Sequence, residues 1–309
     1  MKVVNSIDNY SSQKKSIITI GTFDGIHVGH QEIIKTLVKE SLSKNCLANI
    51  LTFFPHPRMV LNKDSEMKLI DTLEEKEKIL KKIGVNTLII HPFTKKFSRM
   101  TSVEFTRDVL IKRLNVYKII LGYDHRFGKN RESSVEDLIE LGIAYNFKVE
   151  VIDAKKINSI NISSTKIRNA IQVGDIDKAN LYLGRSFEIN GRVVKGKGIG
   201  KKIGFPTANI IIKENYKLIP NKGVYLVKSI IKNKSYYGMM NIGNRPTLNG
   251  KNQTLEVNIF NFNDNLYGKN LAIFFLKKIR DEIKFDSVEK LSNQLKKDKD
   301  YCKILINKF

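Results

Sequence analysis

The sequence contains few of the cysteines that are typical of disulfide-rich secreted proteins and of proteins with structural metal sites. It has two cysteines, six prolines and no tryptophan in 309 residues. Cys46 and Cys302 fit no metal-ligand or disulfide spacing, so we expect each to be a small buried apolar residue. No apolar run is long enough to span a bilayer, and Met1–Ser16 lacks the apolar stretch of a secretory signal. These absences predict a cytoplasmic protein that has no membrane span.

Acidic residues are scarce as well. Lys and Arg number 54 against 31 Asp and Glu, which gives a formal net charge of +23. Residues 1–182 hold 29 basic and 21 acidic groups, whereas residues 183–309 hold 25 and 10. Such a surplus attracts polyanions. Because the lysines are scattered rather than gathered in one stripe, we interpret them as a solvated surface and expect no nucleic-acid partner.

The length predicts two domains. In the first half, short apolar runs alternate with amphipathic segments, which predicts a Rossmann-like α/β domain with a parallel sheet. We predict strands at Ser16–Gly21, Leu47–Phe54, Val85–Ile90, Tyr117–Gly122 and Lys148–Ile152. We predict helices at Gly29–Leu42, Thr72–Ile83, Val103–Leu114, Ser134–Tyr145, Thr165–Val173 and Ile176–Tyr182.

The second half is β-rich and predicts a small antiparallel β-barrel followed by a C-terminal helix. The predicted strands are Glu188–Val194, Gly223–Ile231, Tyr236–Ile242, Thr254–Phe260 and Leu271–Ile279, and the helix is Ser287–Lys297. Gly174 and Gly184 punctuate the chain between the two patterns. We therefore predict domains at residues 1–182 and 183–309.

The segment Gly21-Thr-Phe-Asp-Gly-Ile-His-Val-Gly-His30 follows a predicted strand and begins a helix. A helix N-terminus offers free N–H groups to phosphate, and ligands of open parallel sheets bind beyond the carboxyl ends of the strands. His27 and His30 are three residues apart, so their rings can converge on one phosphate. The alternative is that His27 caps the turn and His30 packs in the core. The whole pattern favours a phosphate site, with Gly21, Phe23, Asp24 and Gly29 as its other residues.

A second phosphate-binding candidate is Ile162-Ser-Ser-Thr-Lys-Ile-Arg168. Ser163, Ser164 and Thr165 are good N-cap residues for the helix that follows. The positive charge of Arg168 opposes the helix dipole, and a bound phosphate would relieve that conflict. An ordinary capped helix explains the segment equally well.

A glycine-rich basic loop precedes the sequence Phe205-Pro-Thr-Ala-Asn209 in the second half. Such a loop can wrap phosphates with backbone N–H groups, although it could also be a mobile basic hairpin that touches RNA. Thr207 and Asn209 supply hard oxygen ligands, which suit Mg²⁺ held together with substrate phosphates. The predicted phosphate-binding residues of the loop are Gly196, Gly198, Gly200 and Lys201.

The first half resembles the nucleotidyltransferase superfamily, which uses an HxGH element and a Ser/Thr-rich element on the ATP phosphates. Phe53-Phe-Pro-His-Pro-Arg58 and Leu121-Gly-Tyr-Asp-His-Arg-Phe-Gly128 resemble the flavin-binding motifs of the FMN adenylyltransferase module of bacterial FAD synthetases. The resemblance implies that His27 and His30 are catalytic. It implies flavin-binding roles for Pro55, His56, Pro57, Asp124, Arg126, Phe127 and Gly128.

The second half resembles the riboflavin kinase module, whose signature contains GFPTAN. The resemblance continues through Met240–Thr247, Leu255–Phe260 and Ile279–Phe285. It implies that Glu256 is the general base and that Arg280 lies by the flavin. Taken alone, Glu256 reads as an outward residue of an alternating strand. The two resemblances together imply that ATP and Mg²⁺ convert riboflavin to FMN and then to FAD, the flavins being substrate, intermediate and product.

Some residues depart from the family pattern. His125 and Glu132–Ser134 border the predicted flavin site of the first domain, and Lys195, Lys202 and Asn258 border the predicted kinase site. Three alternatives stay open: a riboflavin kinase with a weakened first domain, a nucleotidyltransferase for another substrate, and a basic nucleic-acid-binding protein. The sequence also leaves open whether the chain forms a homo-oligomer.

Overall fold

We describe a computed structural model of the chain. It covers residues 1–61, 66–123, 133–153, 156–157, 160–196, 200, 203–247 and 250–309, with the backbone alone for 156–157, 160, 245–247 and 250–252. The chain divides into two compact units, Met1–Ser164 and Thr165–Phe309. No helix within these ranges is long and apolar enough to cross a membrane.

The first unit is built on a six-stranded parallel sheet, in the order β1-β4-β3-β2-β5-β6. Its strands are β1 Lys2–Asn5, β2 Ser16–Ile20, β3 Leu47–Phe53, β4 Thr87–His91, β5 Val116–Gly122 and β6 Lys148–Ile152. Two short strands of two residues each, β7 Lys156–Ile157 and β8 Ile160–Asn161, follow and pair antiparallel. The predicted parallel sheet is confirmed, and the short edge strand β1 was not predicted.

Helices surround this sheet. They are α1 Val28–Ser43, α2 Pro57–Leu61, α3 Leu73–Ile83, α4 Ser102–Glu104 and α5 Val135–Tyr145. Two single 3₁₀ turns lie at Ile7–Asn9 and Phe97–Arg99. The predicted α-helix at Val103–Leu114 is wrong in detail, because Phe105–Ile111 is π-helical and only the turn before it is α-helical.

Neighbouring residues of each strand pack into different cores. Ile17 of β2 packs with Leu37 of α1, whereas Ile18 packs with Val109 of the π-helical segment. Successive side chains of a strand point to opposite faces. Both faces of the sheet are therefore covered, which explains why its strands appear in the sequence as continuous apolar runs.

The second unit begins with α6 Ser164–Val173, whose first residue belongs to the first unit, and α7 Ile176–Leu183. A closed six-stranded barrel follows, in the order β10-β13-β12-β11-β14-β9. Its strands are β9 Phe187–Val194, β10 Ala208–Ile211, β11 Gly223–Ile231, β12 Lys234–Thr247, β13 Gly250–Ile259 and β14 Asn270–Arg280. The predicted antiparallel barrel is confirmed, and β10 was not predicted.

The C-terminal helix, α8 Val288–Ile306, packs on the barrel through Cys302 and Leu305. It begins at the predicted cap, Ser287, and extends beyond the predicted end at Lys297. The helix α7 packs on β9 and β14. There the Asn180 side chain donates to the Phe275 carbonyl and accepts from the Phe187 N–H. This packing groups α7 with the barrel, whereas the predicted boundary between residues 182 and 183 leaves all but the last residue of α7 in the first domain.

Two candidate active sites

The first candidate site lies at the carboxyl edge of the parallel sheet. The strands after β2 extend the sheet through β3 to β4, and the chain then crosses to the other side of β2 for β5 and β6. Ligands of open α/β sheets bind where the strand order reverses in this way. The segment Gly21–His30 follows β2 directly, so the sheet places it at this position.

The turn between β2 and α1 has an unusual backbone. Phe23 and Ile26 have positive φ values of 45° and 36°, and Gly25 between them has a φ of 86°. Non-glycine residues seldom adopt this left-handed conformation. Both are buried in the core under α1, so packing holds the turn in a shape that is costly for an isolated peptide.

His27 and His30 meet at the start of α1. The Nδ1 atom of His27 caps the helix by accepting from the His30 N–H at 3.3 Å. The two rings stack with their centroids 3.6 Å apart, and the Phe23 ring meets His30 edge-on at 5.1 Å. The proposed cap role of His27 and the convergence of the two rings therefore occur together.

The Nδ1 atom of His30 is buried, with no hydrogen-bond partner among the described residues. Burial lowers the pKa of His30 well below its ordinary value, and electrostatic interaction with His27 and Lys76 lowers it further. His30 is consequently a neutral imidazole at neutral pH.

Asp24 is buried rather than open to solvent. Its Oδ1 atom accepts from the Ile70 N–H at 2.8 Å, and its backbone carbonyl accepts from the Ser164 hydroxyl at 2.8 Å. Asp24 thus joins the turn to the segment before α3 and to the first residue of α6. These contacts make it a brace for the predicted phosphate-binding turn.

Lys76 was missed by the sequence reasoning. It is 5% exposed, and its Nζ atom donates to the Thr22 carbonyl at 2.6 Å. Burial lowers the pKa of Lys76, while the Asp24 and Asp71 carboxylates oppose the shift. Lys76, Leu80 and Ile83 recur at helical spacing on the apolar face of α3. A lysine on that face was the signal that could have revealed it.

The Ser/Thr-rich element begins α6. Ser163 precedes the helix and Ser164 is its first residue. Thr165 lies on the first turn of α6 and Arg168 on the second, and the Arg168 guanidinium donates to the Thr165 hydroxyl at 3.2 Å.

The predicted flavin-binding segment Pro55–Pro57 lies at the carboxyl end of β3, on the same edge of the sheet as the histidine pair. The Nδ1 atom of His56 accepts from the Arg58 N–H at 3.1 Å, and α2 begins at Pro57. The other predicted flavin-binding residues of this unit lie outside the described residues: Asp124, Arg126, Phe127 and Gly128, together with His125 and Glu132.

The second candidate site is a cavity of about 260 Å³ in the barrel unit. Three predicted residues, Thr207, Asn209 and Glu256, line it together. The Thr207 hydroxyl donates to Glu256 Oε2 at 3.3 Å, and Asn209 is paired with Glu256 across β10 and β13. Its other lining residues are Gly200, Ile203, Phe205, Val224, Met239, Asn241, Asn258, Arg280, Glu282, Ile283, Phe285, Leu291 and Leu295.

The glycine-rich loop passes close to these residues. A Cβ atom at Gly196 would collide with the Asn209 amide, and one at Gly200 would collide with the Phe205 carbonyl. Only glycine permits that approach at either position. The predicted residues Gly198, Lys201 and Lys202 lie outside the described residues.

Arg280 lines the cavity and binds a partner that sequence reasoning missed. Its guanidinium forms a bidentate pair with Asp298 of α8. The contact made by Asn258 was missed as well. Its side chain donates to the Pro206 carbonyl at 2.7 Å and so holds the residue next to Thr207.

Comparison with known proteins assigns both halves of the chain to families. Residues 9–166 match the FAD synthetase family and residues 183–306 match the riboflavin kinase family. The bifunctional riboflavin kinase/FMN adenylyltransferase of Buchnera aphidicola from Schizaphis graminum is 39% identical over 99% of both chains. The chain belongs to the bifunctional riboflavin kinase/FMN adenylyltransferase family.

Other members of this family match nearly the whole chain. The Escherichia coli K12 member is 35% identical over 96% of this chain and 96% of its own. A crystal structure from Streptococcus pneumoniae, described as a macrolide-efflux protein, shares the fold with a TM-score of 0.91. It is 32% identical and covers 98% of this chain and 99% of its own.

Proposed function

We propose that the chain phosphorylates riboflavin to FMN in residues 183–309 and adenylylates FMN to FAD in residues 1–182, consuming one ATP in each step. The observation that carries the proposal is that each compact unit brings predicted catalytic or metal-binding side chains into contact. One holds the stacked His27 and His30, and the other holds the hydrogen-bonded Thr207 and Glu256.

In the kinase step, Glu256 acts as general base. It takes the proton of the terminal ribityl hydroxyl while that oxygen forms a bond to the γ-phosphorus of ATP. The bond from the γ-phosphorus to its bridging oxygen breaks, and ADP leaves with that electron pair. The hydrogen bond from Thr207 to Oε2 orients the carboxylate that receives the proton.

Thr207 and Asn209 are the residues that would hold Mg²⁺. Both carry hard oxygen donors beside the Glu256 carboxylate. The described residues contain no cluster of three or more His, Cys, Asp or Glu side chains that could hold a metal alone. This donor set fits Mg²⁺, which commonly takes one or two protein ligands and completes its shell with water and phosphate oxygens. When bound, Mg²⁺ would neutralise charge on the ATP phosphates.

In the adenylylation step, a phosphate oxygen of FMN bonds to the α-phosphorus of ATP. The bond from the α-phosphorus to the bridging oxygen breaks, and pyrophosphate leaves. Because the Nδ1 atom of His27 accepts a hydrogen bond, the neutral ring carries its proton on Nε2 and can donate it to a phosphate oxygen. His27 and His30 therefore contribute hydrogen bonding and orientation rather than a nucleophile.

The remaining predicted site residues are assigned to the same two reactions. Gly21, Phe23 and Gly29 bring backbone close to the phosphates, and Asp24 braces their turn. Phosphate contacts come from Ser163, Ser164, Thr165, Arg168, Gly196, Gly198, Gly200 and Lys201, and flavin contacts from Pro55, His56, Pro57, Asp124, Arg126, Phe127, Gly128 and Arg280. We place the reactions in the cytoplasm, with riboflavin, FMN and ATP as substrates and no nucleic-acid partner.

The test separates the two reactions by supplying their substrates separately. Purified chain is incubated with ATP and Mg²⁺ and either riboflavin or FMN, and the flavins are resolved by chromatography over time. FMN followed by FAD is expected from riboflavin. Glu256→Gln is expected to reduce the rate of FMN formation by ~10²–10⁴-fold. The rate of FAD formation from FMN should be unchanged. The exposed Glu289→Gln variant is the matched control.

Each other outcome removes one part of the proposal. FMN that accumulates without FAD would contradict the adenylyltransferase and favour a kinase with an inactive first unit. FAD from FMN but no FMN from riboflavin would contradict the kinase. No turnover of ATP in either incubation would contradict the enzyme and favour a nucleic-acid-binding protein.

A further inference from the structure

A buried ion pair connects the C-terminal helix to the barrel cavity. Asp298 of α8 is 3% exposed, and both of its oxygens accept from Arg280 Nε at 3.0 Å. Arg280 Nη2 donates to Oδ2 at 2.8 Å, and Gln294 adds a bond to Oδ1 at 2.8 Å. Both oxygens of the Asp298 carboxylate thus accept hydrogen bonds from the planar guanidinium of Arg280.

Such a pair is a poor device for stability alone. Burying two charges costs desolvation energy that their attraction often only repays, and apolar residues of similar size would hold α8 as well. The pair does, however, fix the plane of a guanidinium, which an apolar contact cannot do. Its geometry therefore points to a role at the cavity that Arg280 lines.

The pair also fixes one side of the cavity. Arg280 ends β14, and α8 begins at Val288. The segment between them contributes Glu282, Ile283 and Phe285 to the cavity, and α8 contributes Leu291 and Leu295. Because the pair joins the end of β14 to the middle of α8, it sets how far the helix stands from the barrel.

The guanidinium keeps hydrogen-bonding capacity for a ligand. It has five N–H groups. One on Nε and one on Nη2 bind Asp298, and one on Nη1 binds the Asp281 carbonyl at 2.9 Å. One N–H on each of Nη1 and Nη2 is left after these contacts.

We propose that Asp298 is the positioning residue for riboflavin in the kinase site, holding Arg280 so that its remaining N–H groups meet the carbonyl oxygens of the flavin ring. Asp298 touches no substrate and acts through Arg280. This inference rests on the proposed kinase function and adds to it a specific role for the C-terminal helix.

The test compares Asp298→Asn with Asp300→Asn, an exposed aspartate of the same helix that pairs with Lys303. Asp298→Asn is expected to raise the KM for riboflavin on the order of tenfold, the equivalent of one charge-assisted hydrogen bond. The KM for ATP and the formation of FAD from supplied FMN are expected to stay within about twofold. Asp300→Asn should match the unaltered chain.

A double-variant measurement tests the route through Arg280. Arg280→Lys abolishes the planar fork, so adding Asp298→Asn to it should raise the riboflavin KM little further. Gln294→Ala keeps the ion pair and removes one bond to Asp298. It is expected to shift the riboflavin KM in the same direction by a smaller factor, which keeps the test usable if Asp298→Asn folds poorly.

Other results overturn the inference. A lower fraction of active enzyme with both KM values unchanged would make Asp298 merely structural. Equal rises in the two KM values, or full additivity with Arg280→Lys, would also contradict it. If the unaltered chain makes no FMN from riboflavin, the proposed kinase function fails rather than the role of Asp298.

Discussion

The rings of His27 and His30 stack 3.6 Å apart at the first turn of α1. The stack places two imidazoles at the positive end of a helix, where the backbone already favours an anion. A neutral His30 avoids charge repulsion within the stack while no substrate is bound. The arrangement ties helix capping and phosphate recognition to the same two residues.

The first prediction concerns acid stability. The folded His30 has a lowered pKa, so below about pH 6.5 the unfolded chain binds a proton that the folded chain does not. The free energy of unfolding should therefore fall as the pH drops below 6.5, by up to about 1.4 kcal/mol per pH unit for this group. His91 has a pKa lowered by burial and acts in the same direction.

Urea unfolding at several pH values checks this prediction. His30→Asn removes one titrating group, so its stability should depend less steeply on pH between about 6.5 and 5.5. His91→Asn measures the share of the second histidine. Equal slopes for His30→Asn and the unaltered chain would show that His30 has an ordinary pKa in the folded state.

The second prediction concerns Lys76. Lys76→Met removes the donor to the Thr22 carbonyl and leaves Asp24 and Asp71 buried without its charge. The change should cost about 3 kcal/mol of unfolding free energy and reduce FAD formation from FMN. FMN formation from riboflavin should be preserved. Calorimetry and the two-substrate assay measure both effects.

Lys78 supplies the control for that experiment. It lies on the same helix, is exposed, and pairs with Glu74 at 2.7 Å. Lys78→Met should therefore cost no more than about 0.5 kcal/mol. If the two lysine variants are equally stable, the buried contacts of Lys76 do not brace the turn.

The third prediction separates the hydroxyl of Thr207 from its methyl group. Thr207→Val removes the donor to Glu256 and one oxygen ligand, so kcat for FMN formation should fall by about 10²-fold. Thr207→Ser keeps the oxygen and should remain within a few-fold of the unaltered chain. A titration with Mg²⁺ should show a higher requirement for Thr207→Val alone. Equal activities of the two variants would contradict a role for the hydroxyl.

The fourth prediction uses the two thiols as reporters. Burial raises the pKa of Cys302 to about 12, with the Asp298 charge adding to the shift, whereas Cys46 is half-buried. A thiol reagent should label Cys46 first, and should reach Cys302 only when α8 detaches. In Cys46→Ser, riboflavin should slow the remaining labelling. Immediate labelling of Cys302 in the folded chain would show that α8 does not cover it.

The sequence predicted the parallel sheet and the barrel because their apolar periodicities differ. It missed β10 because that strand has only four residues, Ala208–Ile211. A short strand carries too little periodicity to identify. Thr207, just before this strand, and Asn209 within it were nevertheless selected as metal ligands from their chemistry. The structure places both beside Glu256.

The contacts of the site residues were harder to predict than the residues themselves. Lys76 and Asp298 occur in helices rich in charge, where an unpaired solvated side chain is the usual outcome. Only the tertiary structure brings Lys76 under the Thr22 carbonyl and Asp298 against Arg280. Asp24 was predicted to bind phosphate from its motif, and its burial against Ile70 was not encoded in local spacing.

The shortness of β10 has a consequence for how the barrel opens. This four-residue strand closes the barrel between β9 and β13. It pairs with β9 through Asn209, Ile210 and Ile211. The shortest strand pairings of the barrel are therefore those of β10, next to the residues proposed to hold Mg²⁺. Bound substrate would stabilise the pairing of β10 against local opening. The amide hydrogens of β10 should therefore exchange more slowly when substrate is present, while those of β11 change little.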